Sequence, residues 1–455
     1  MSAASLPLEE DGLAMPRRAV AAVAVLAAIA LAVIDTAIAN VALPTMAAAL
    51  GVSPAASVWV VTGYQLAVVV TLLPAAALGE SLGYRRVFVA GVALFTAASV
   101  LCALSPSLPV LVGARFLQGL GSACVMSLMA AMVRHTYPHR LLGRAIGWTA
   151  LTVALASAAG PTIGAAILSV AHWPWLFAVN LPIGAVVLLA SPALPSTIGT
   201  GRRLDRLSVA LNAGLFAPLV VGVDLAASRP ALGLGLVALG IACGAALVRR
   251  EGPRPAPLIP LDLLRAPSFA LSVVSSVCCF SAATASFVAL PFYLEHGLGR
   301  DAVTTGLYMT PWPLTVALAA PLSGRLADRV STGLLCGIGG ACLCVGLSFA
   351  ALWRLEPLHG SLLPLVLFTV VSGFGFGLFQ TPNNRNMLLS APKPRSGAAG
   401  GMQATARLTG QTLGAVLMSL LFALAPAASA PRIGLGVAAA LALLGGAVSL
   451  MRVGR

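Results

Sequence analysis

Polar residues are sparse along this 455-residue chain and gather at intervals, leaving long apolar runs between them. The runs fall at about 19–43, 57–78, 87–105, 109–133, 145–170, 174–191, 207–225, 231–248, 268–292, 303–323, 333–353, 361–380, 398–424 and 432–451. About 20 residues rising 1.5 Å each cross a hydrocarbon core of about 30 Å, which is the length of these runs. Lipid offers no partner to an open backbone, so each run is predicted to be a helix. The pattern predicts an all-α polytopic membrane protein with fourteen transmembrane helices.

A weak internal repeat organises them. The loop after the second run reads Ala76-Ala-Leu-Gly-Glu80-Ser-Leu-Gly83-Tyr-Arg85-Arg86, and the loop after the tenth reads Gly324-Arg325-Leu326-Ala327-Asp328-Arg329-Val-Ser-Thr-Gly333. Both place a small residue, a Leu two later, an acid two after that, then glycine and basic residues. The expected architecture is two six-helix bundles, residues 17–200 and 256–455, with helices 7 and 8 inserted between them as a hairpin at 201–255. Residues 1–16 are polar and expected to be a disordered cytoplasmic N-terminus. The first apolar run is too long for a signal-peptide core and lacks a small-residue cleavage site, so no cleaved leader is expected.

Composition agrees with the pattern: 59% of residues are hydrophobic and 9% charged, too few charges for a soluble surface. With the N-terminus placed in the cytoplasm, 21 of the 27 Lys and Arg residues fall in inner loops. The outer loops hold only Arg229, Arg300, Arg354 and Arg432, and Arg115 and Arg407 lie inside runs. This bias places both termini in the cytoplasm. The net charge of +14 is scattered over many loops, so it is a topology signal and not a nucleic-acid surface. All eight cysteines lie in apolar runs and read as small packing residues. Cys342 and Cys344 have no His beside them, so no metal site is expected, and no nucleophile or ligand cluster suggests an enzyme.

Two charges stand out within the bilayer. A charged Asp at the centre of a helix costs about 2.5–3.5 kcal/mol, an amount that about two pH units of driving force can offset. Asp35 in the first run is therefore a candidate for proton exchange, with plain helix packing as the alternative. Arg115 lies in the fourth run, within Leu111-Val-Gly113-Ala-Arg115-Phe-Leu-Gln118-Gly119-Leu-Gly121. At 1.5 Å per residue it sits about 10 Å from the outer end, close to the depth of Asp35 at about 12 Å. If runs 1 and 4 pack together, Arg115 either tunes Asp35 or forms a structural ion pair with it.

Other candidates follow from position. Gly160, Pro161 and Gly164 in the fifth run combine a bend with a tight contact face, fit for a hinge or for simple packing. Glu80, Arg85 and Arg86, with Asp328 and Arg329 in the second loop, lie at the inner membrane edge. An acid there can dock on a helix N-terminus and hold one conformation, or be a solvated turn. Asp224 at the outer end of run 7 reads as an interface residue, and Glu295 and Asp301 as solvated loop acids. Candidate pocket residues are aromatic, amide, charged or thioether side chains well inside runs: Tyr64, Gln65, Met126, Phe280, Phe287, Tyr308, Trp312, Phe376, Arg407 and Gln411.

Taken together, these segments resemble the major facilitator superfamily, in particular its fourteen-span drug:proton antiporter branch. Asp35-Thr-Ala-Ile-Ala-Asn40-Val-Ala-Leu-Pro44 is similar to that branch's first-helix signature, and Ala76–Arg86 to the superfamily's inter-helix loop. Arg115 with Gln118-Gly119 resembles the fourth-helix signature, and Gly160-Pro161 with Gly164 the antiporter signature of helix 5. Trp173-Pro-Trp-Leu-Phe-Ala-Val-Asn180-Leu-Pro182-Ile-Gly184 also resembles the branch. Ala76 stands where the loop motif usually begins with Gly, and Glu80 where it usually has Asp. Runs 10 and 13 contain no acid, which weighs against multivalent cations as cargo and leaves neutral, monocationic and, through Arg407, anionic compounds open.

The resemblance implies a bacterial inner-membrane antiporter exporting amphipathic small molecules by alternating access, driven by the proton gradient without a cofactor. Its expected partners are that cargo, protons and the bilayer, with a monomer sufficient. A dedicated exporter of one metabolite or antibiotic is a second reading, and a membrane enzyme or lipid-handling scaffold a third.

Overall fold

The computed structural model describes residues 12–196, 199–201, 205–226, 228–252, 261–352, 363–390, 396–426 and 428–453, and the described residues are helical with short connections. The first half contains α1 (Arg17–Val41), α2 (Leu43–Leu50), α3 (Pro54–Ser57), α4 (Trp59–Leu82), α5 (Tyr84–Ala103) and α6 (Leu108–Thr136). It continues with α7 (Leu142–Val170), α8 (Trp175–Ala178) and α9 (Asn180–Ala190). Then come α10 (Arg206–Leu225) and α11 (Pro230–Glu251). The second half contains α12 (Pro267–Phe292), α13 (Ala302–Met309), α14 (Pro311–Leu326), α15 (Thr332–Leu352), α16 (Leu363–Leu389), α17 (Ser396–Leu424) and α18 (Ala430–Leu450).

Local chemistry sets several boundaries. Ser53 caps α3 by accepting from the Ala56 N–H, with Pro54 at the first helical position. Asp301 caps α13 through the Thr304 N–H. Gly51 closes α2 in the left-handed region at φ 63°, which favours glycine.

Twelve of the described helical segments are long and apolar enough to cross a membrane. The other two predicted runs are helical where they are described: 363–380 of the run 361–380 lie in α16, while 303–323 is broken at Thr310 into α13 and α14. Pro311 and Pro313 follow that break, and proline cannot donate to the preceding turn. At the N-terminus, residues 1–11 are outside the described residues, whereas Leu13 is fixed, its N–H donating to Thr136 O at 3.1 Å.

The loop repeat has a counterpart in packing. In the first half, Gly119 of α6 abuts Tyr64 O of α4, and a methyl on Gly121 would lie 2.6 Å from Gly91 O of α5. In the second half, Gly373 of α16 abuts Trp312 O of α14, and a methyl on Gly375 would lie 2.6 Å from Gly339 O of α15. The same Gly-x-Gly step thus seats equivalent helices in both halves, because only glycine lets backbones approach this closely. Four residues before it, the first half carries Arg115 and the second Thr369, so the repeat is structural but not electrostatic.

The cores divide the molecule. The largest cluster joins the halves at the end predicted to face outward, with Met46, Val58 and Trp173 from one and Phe292, Leu294 and Trp312 from the other. At the other end each half has its own core: Val25, Phe88 and Met132 in the first, Phe269, Met387 and Met402 in the second. The Thr162 and Thr310 hydroxyls bond at 2.7 Å across the joined end. Helices α10 and α11 pack on each other, and α10 also reaches α4 and α17.

Candidate functional site

Asp35 and Arg115 meet inside the first half, 1% and 0% exposed. Arg115 Nη1 lies 2.5 Å from Asp35 Oδ2. The other carboxylate oxygen, Oδ1, accepts from Gln118 Nε2 at 2.9 Å and Asn180 Nδ2 at 2.7 Å. Gln118 also donates to Ser99 Oγ at 2.9 Å. One carboxylate therefore ties α1 to α6 and α9.

The guanidinium is held as firmly. Arg115 Nε donates to Val60 O at 3.0 Å, and its Cζ stands 4.3 Å from the Tyr64 ring centre and 5.5 Å from that of Phe177. Tyr64 in turn donates to Ser122 Oγ at 2.6 Å. Burying two charges is costly, and the pair is tolerated because both carboxylate oxygens and the Nε and Nη1 groups of the guanidinium have partners. Glycines make the approach possible: Gly119 and Gly121 seat α6 against α4 and α5, which brings Arg115 to the level of Asp35. The arrangement can hold or release one proton at a carboxylate whose loss of charge would leave Arg115 unpaired.

The remaining predicted residues fall into groups. Gly160 abuts Ala37 of α1, Gly164 lies against Ile38, and Pro161 O packs on Gly306 of α13, so α7 is wedged between the halves. The Glu80 carboxylate is exposed, while its backbone carbonyl accepts from the Thr200 N–H at 2.8 Å. Arg85 and Arg86 open α5. Asp328 pairs with Arg385 of α16 at 2.7 Å, and Arg329 is exposed beside it.

Of the pocket candidates, Phe280 stacks edge-on with Phe376 at 5.1 Å, and Phe287 faces Trp312 at 5.2 Å. Tyr308 packs at the edge of the core that joins the halves. Tyr64, with Met126 beside it, belongs to the cluster that brings α4, α6, α10 and α17 together, and Gln65 is buried next to it. Arg407 and Gln411 are partly accessible on α17.

Gln118 and Asn180 act directly on Asp35, which reading the sequence had placed only within motifs; the available signal was an isolated amide inside an apolar run. Asp224 does more than mark an interface. Its Oδ2 accepts from Trp59 Nε1 at 2.9 Å and its Oδ1 from Ser419 Oγ at 2.5 Å, so it links α10 to α4 and α17. Among the described residues no three His, Cys, Asp or Glu side chains converge to hold a metal.

Comparison with known proteins places this geometry. The model of the Major Facilitator Superfamily matches residues 25–415 and 271–454. The chain is 44% identical over 420 residues to the uncharacterized transporter YebQ of Escherichia coli (strain K12), covering 91% of each chain. It is 32% identical over 398 residues to the riboflavin transporter RibZ of Clostridioides difficile (strain 630), covering 86% of this chain and 85% of that one. It is also 32% identical over 406 residues to the multidrug resistance protein Stp of Mycobacterium tuberculosis (strain CDC 1551 / Oshkosh), covering 86% and 73%.

Proposed function

The chain belongs to the major facilitator superfamily and is a membrane transport protein, not an enzyme; we propose that it exports amphipathic small molecules in exchange for protons by alternating access. The observation that carries this reading is the buried Asp35–Arg115 pair with its Gln118 and Asn180 donors. A proton on Asp35 removes the charge that balances Arg115. Leaving one member of a buried pair uncompensated costs about 3–5 kcal/mol, enough to favour a different packing of α1, α6 and α9. With the joined end expected to face outward, this packing of the halves supports a state that receives cargo from the inner side.

In this reading the twelve apolar helices, the α13–α14 pair and α16 make fourteen crossings, with α10 and α11 inserted as a hairpin. Both termini lie in the cytoplasm of a bacterial inner membrane, and the proton gradient is the sole energy source. Glu80 and its loop serve as a latch that closes the inner end in the opposite state, and Gly160, Pro161 and Gly164 as the wedge over which the halves rock. The name of the Stp relative favours a range of cargoes, while that of the RibZ relative favours a single solute as the second reading.

Inverted vesicles with an imposed pH gradient test the proposal. Wild-type protein should accumulate amphipathic dyes and lose that accumulation to a protonophore. Accumulation of no solute in response to the gradient would refute it, and accumulation of one chemical class alone would select the single-solute reading.

A further inference from the structure

Arg407 is the second arginine inside a membrane span, and it is treated differently from Arg115. It makes no ion pair and no hydrogen bond among the described residues, and its Nε is fully buried without an acceptor. The side chain as a whole is partly accessible. The group within its electrostatic reach is the Tyr64 phenol, which also faces Asp35 and Arg115. Asp35 is already balanced by Arg115, so the Arg407 charge has no counterpart. A guanidinium at membrane depth without one is costly, and such residues normally pair or line a pathway.

The helix phase shows where Arg407 faces. Gly410 and Gly414 of α17 pack on Val277 and Ser281 of α12. Gly401 lies against Leu73 of α4, and Leu408 joins the Tyr64 cluster. At 100° per residue, Arg407 and Gln411 point between those two faces, into the seam between the halves. Gln403, Arg407 and Gln411, four residues apart, form one partly accessible polar stripe up this seam.

Resting on the export reading above, we infer that Arg407 is the docking cation for a negatively charged group on the cargo, so that the substrates are amphipathic anions, carboxylates or sulfonates with an apolar body. Arg407 supplies a planar fork of donors suited to a carboxylate. Gln403 and Gln411 add amide donors above and below it. The missing counter-charge is then one that arrives and leaves with each cargo.

Binding to purified protein tests this with dansyl-phenylalanine and its carboxamide, which differ only in the charged group. Wild-type protein should bind the carboxylate at least about tenfold more tightly than the amide. Arg407→Gln should abolish that preference, and Arg407→Lys should keep it with weaker binding. No binding of the carboxylate by wild type, equal binding of both probes, or a preference that survives Arg407→Gln would overturn the inference. Should Arg407→Gln fail to fold, the wild-type preference, and its retention with weaker carboxylate binding in Arg407→Lys, decide. The same probes in gradient-driven vesicles separate the two readings. A preference that depends on Arg407, with transport indifferent to the proton gradient, sinks the export mechanism alone. Gradient-driven export without any preference sinks the anion site alone.

Discussion

Arg115 Nη1 touches Asp35 Oδ2 at 2.5 Å across 80 residues of sequence, and neither side chain reaches solvent. A contact of this kind is weak grounds for stability, since apolar replacements of both partners are often neutral. Its consequence is conditional: the pair is stable only while both members are charged.

The first prediction follows from that asymmetry. Arg115→Ala should lower unfolding stability by about 3–5 kcal/mol, because it leaves a buried carboxylate with amide donors alone. The double variant Asp35→Asn with Arg115→Gln should be more stable than Arg115→Ala. Thermal unfolding in detergent, arranged as a double-mutant cycle, measures the coupling.

The repeated glycine step makes a second prediction. Gly121→Ala and Gly375→Ala each place a methyl against backbone, 2.6 Å from Gly91 O and Gly339 O. Both should destabilise by about 1–3 kcal/mol. Gly113→Ala, which meets nothing within 4 Å, should be neutral and is the control for the same unfolding assay.

Asp224 gives a third. It joins α10 to Trp59 and Ser419, and Ser419 also reaches Ala55 O at 3.3 Å. Asp224→Ala should loosen the outer seam, so that a cysteine introduced by Ala55→Cys reacts several-fold faster with an impermeant thiol reagent. An unchanged labelling rate would mean that this acid does not hold the seam.

The exposed Asp328–Arg385 pair behaves differently. At 65% and 41% side-chain exposure it is screened by water, so Asp328→Asn should change stability by less than about 1 kcal/mol. A larger loss in the same unfolding assay would show that the contact carries more than its exposure allows.

The parts of this molecule that were legible in the sequence are those with a local physical signature. Apolar length marked the helices, and the similar depth of the intramembrane charges Asp35 and Arg115 allowed a pairing on the condition that runs 1 and 4 pack together. The Gly119-x-Gly121 step is visible in the sequence beside Arg115, although its twin at Gly373–Gly375 emerged only from the fold. Long-range partners were not legible: Asn180 lies 145 residues from Asp35, and neither the motif that holds it nor its amide among apolar residues says that it reaches that carboxylate. Asp328 binds Arg385, 57 residues away, although arginines adjoin it in sequence, because α16 and not the loop brings a guanidinium to it. The break at Thr310 was hidden by the continuous hydrophobicity of 303–323, although Pro311 and Pro313 were there to suggest it.

In the proposed mechanism one proton on Asp35 drives the cycle. Proteoliposomes containing Asp35→Asn measure it most directly, with solute exchange and uphill transport recorded side by side. The variant should still exchange cargo across the membrane but no longer concentrate it against a gradient when a pH difference is imposed. Uphill, pH-driven transport at the wild-type rate in that variant would contradict it.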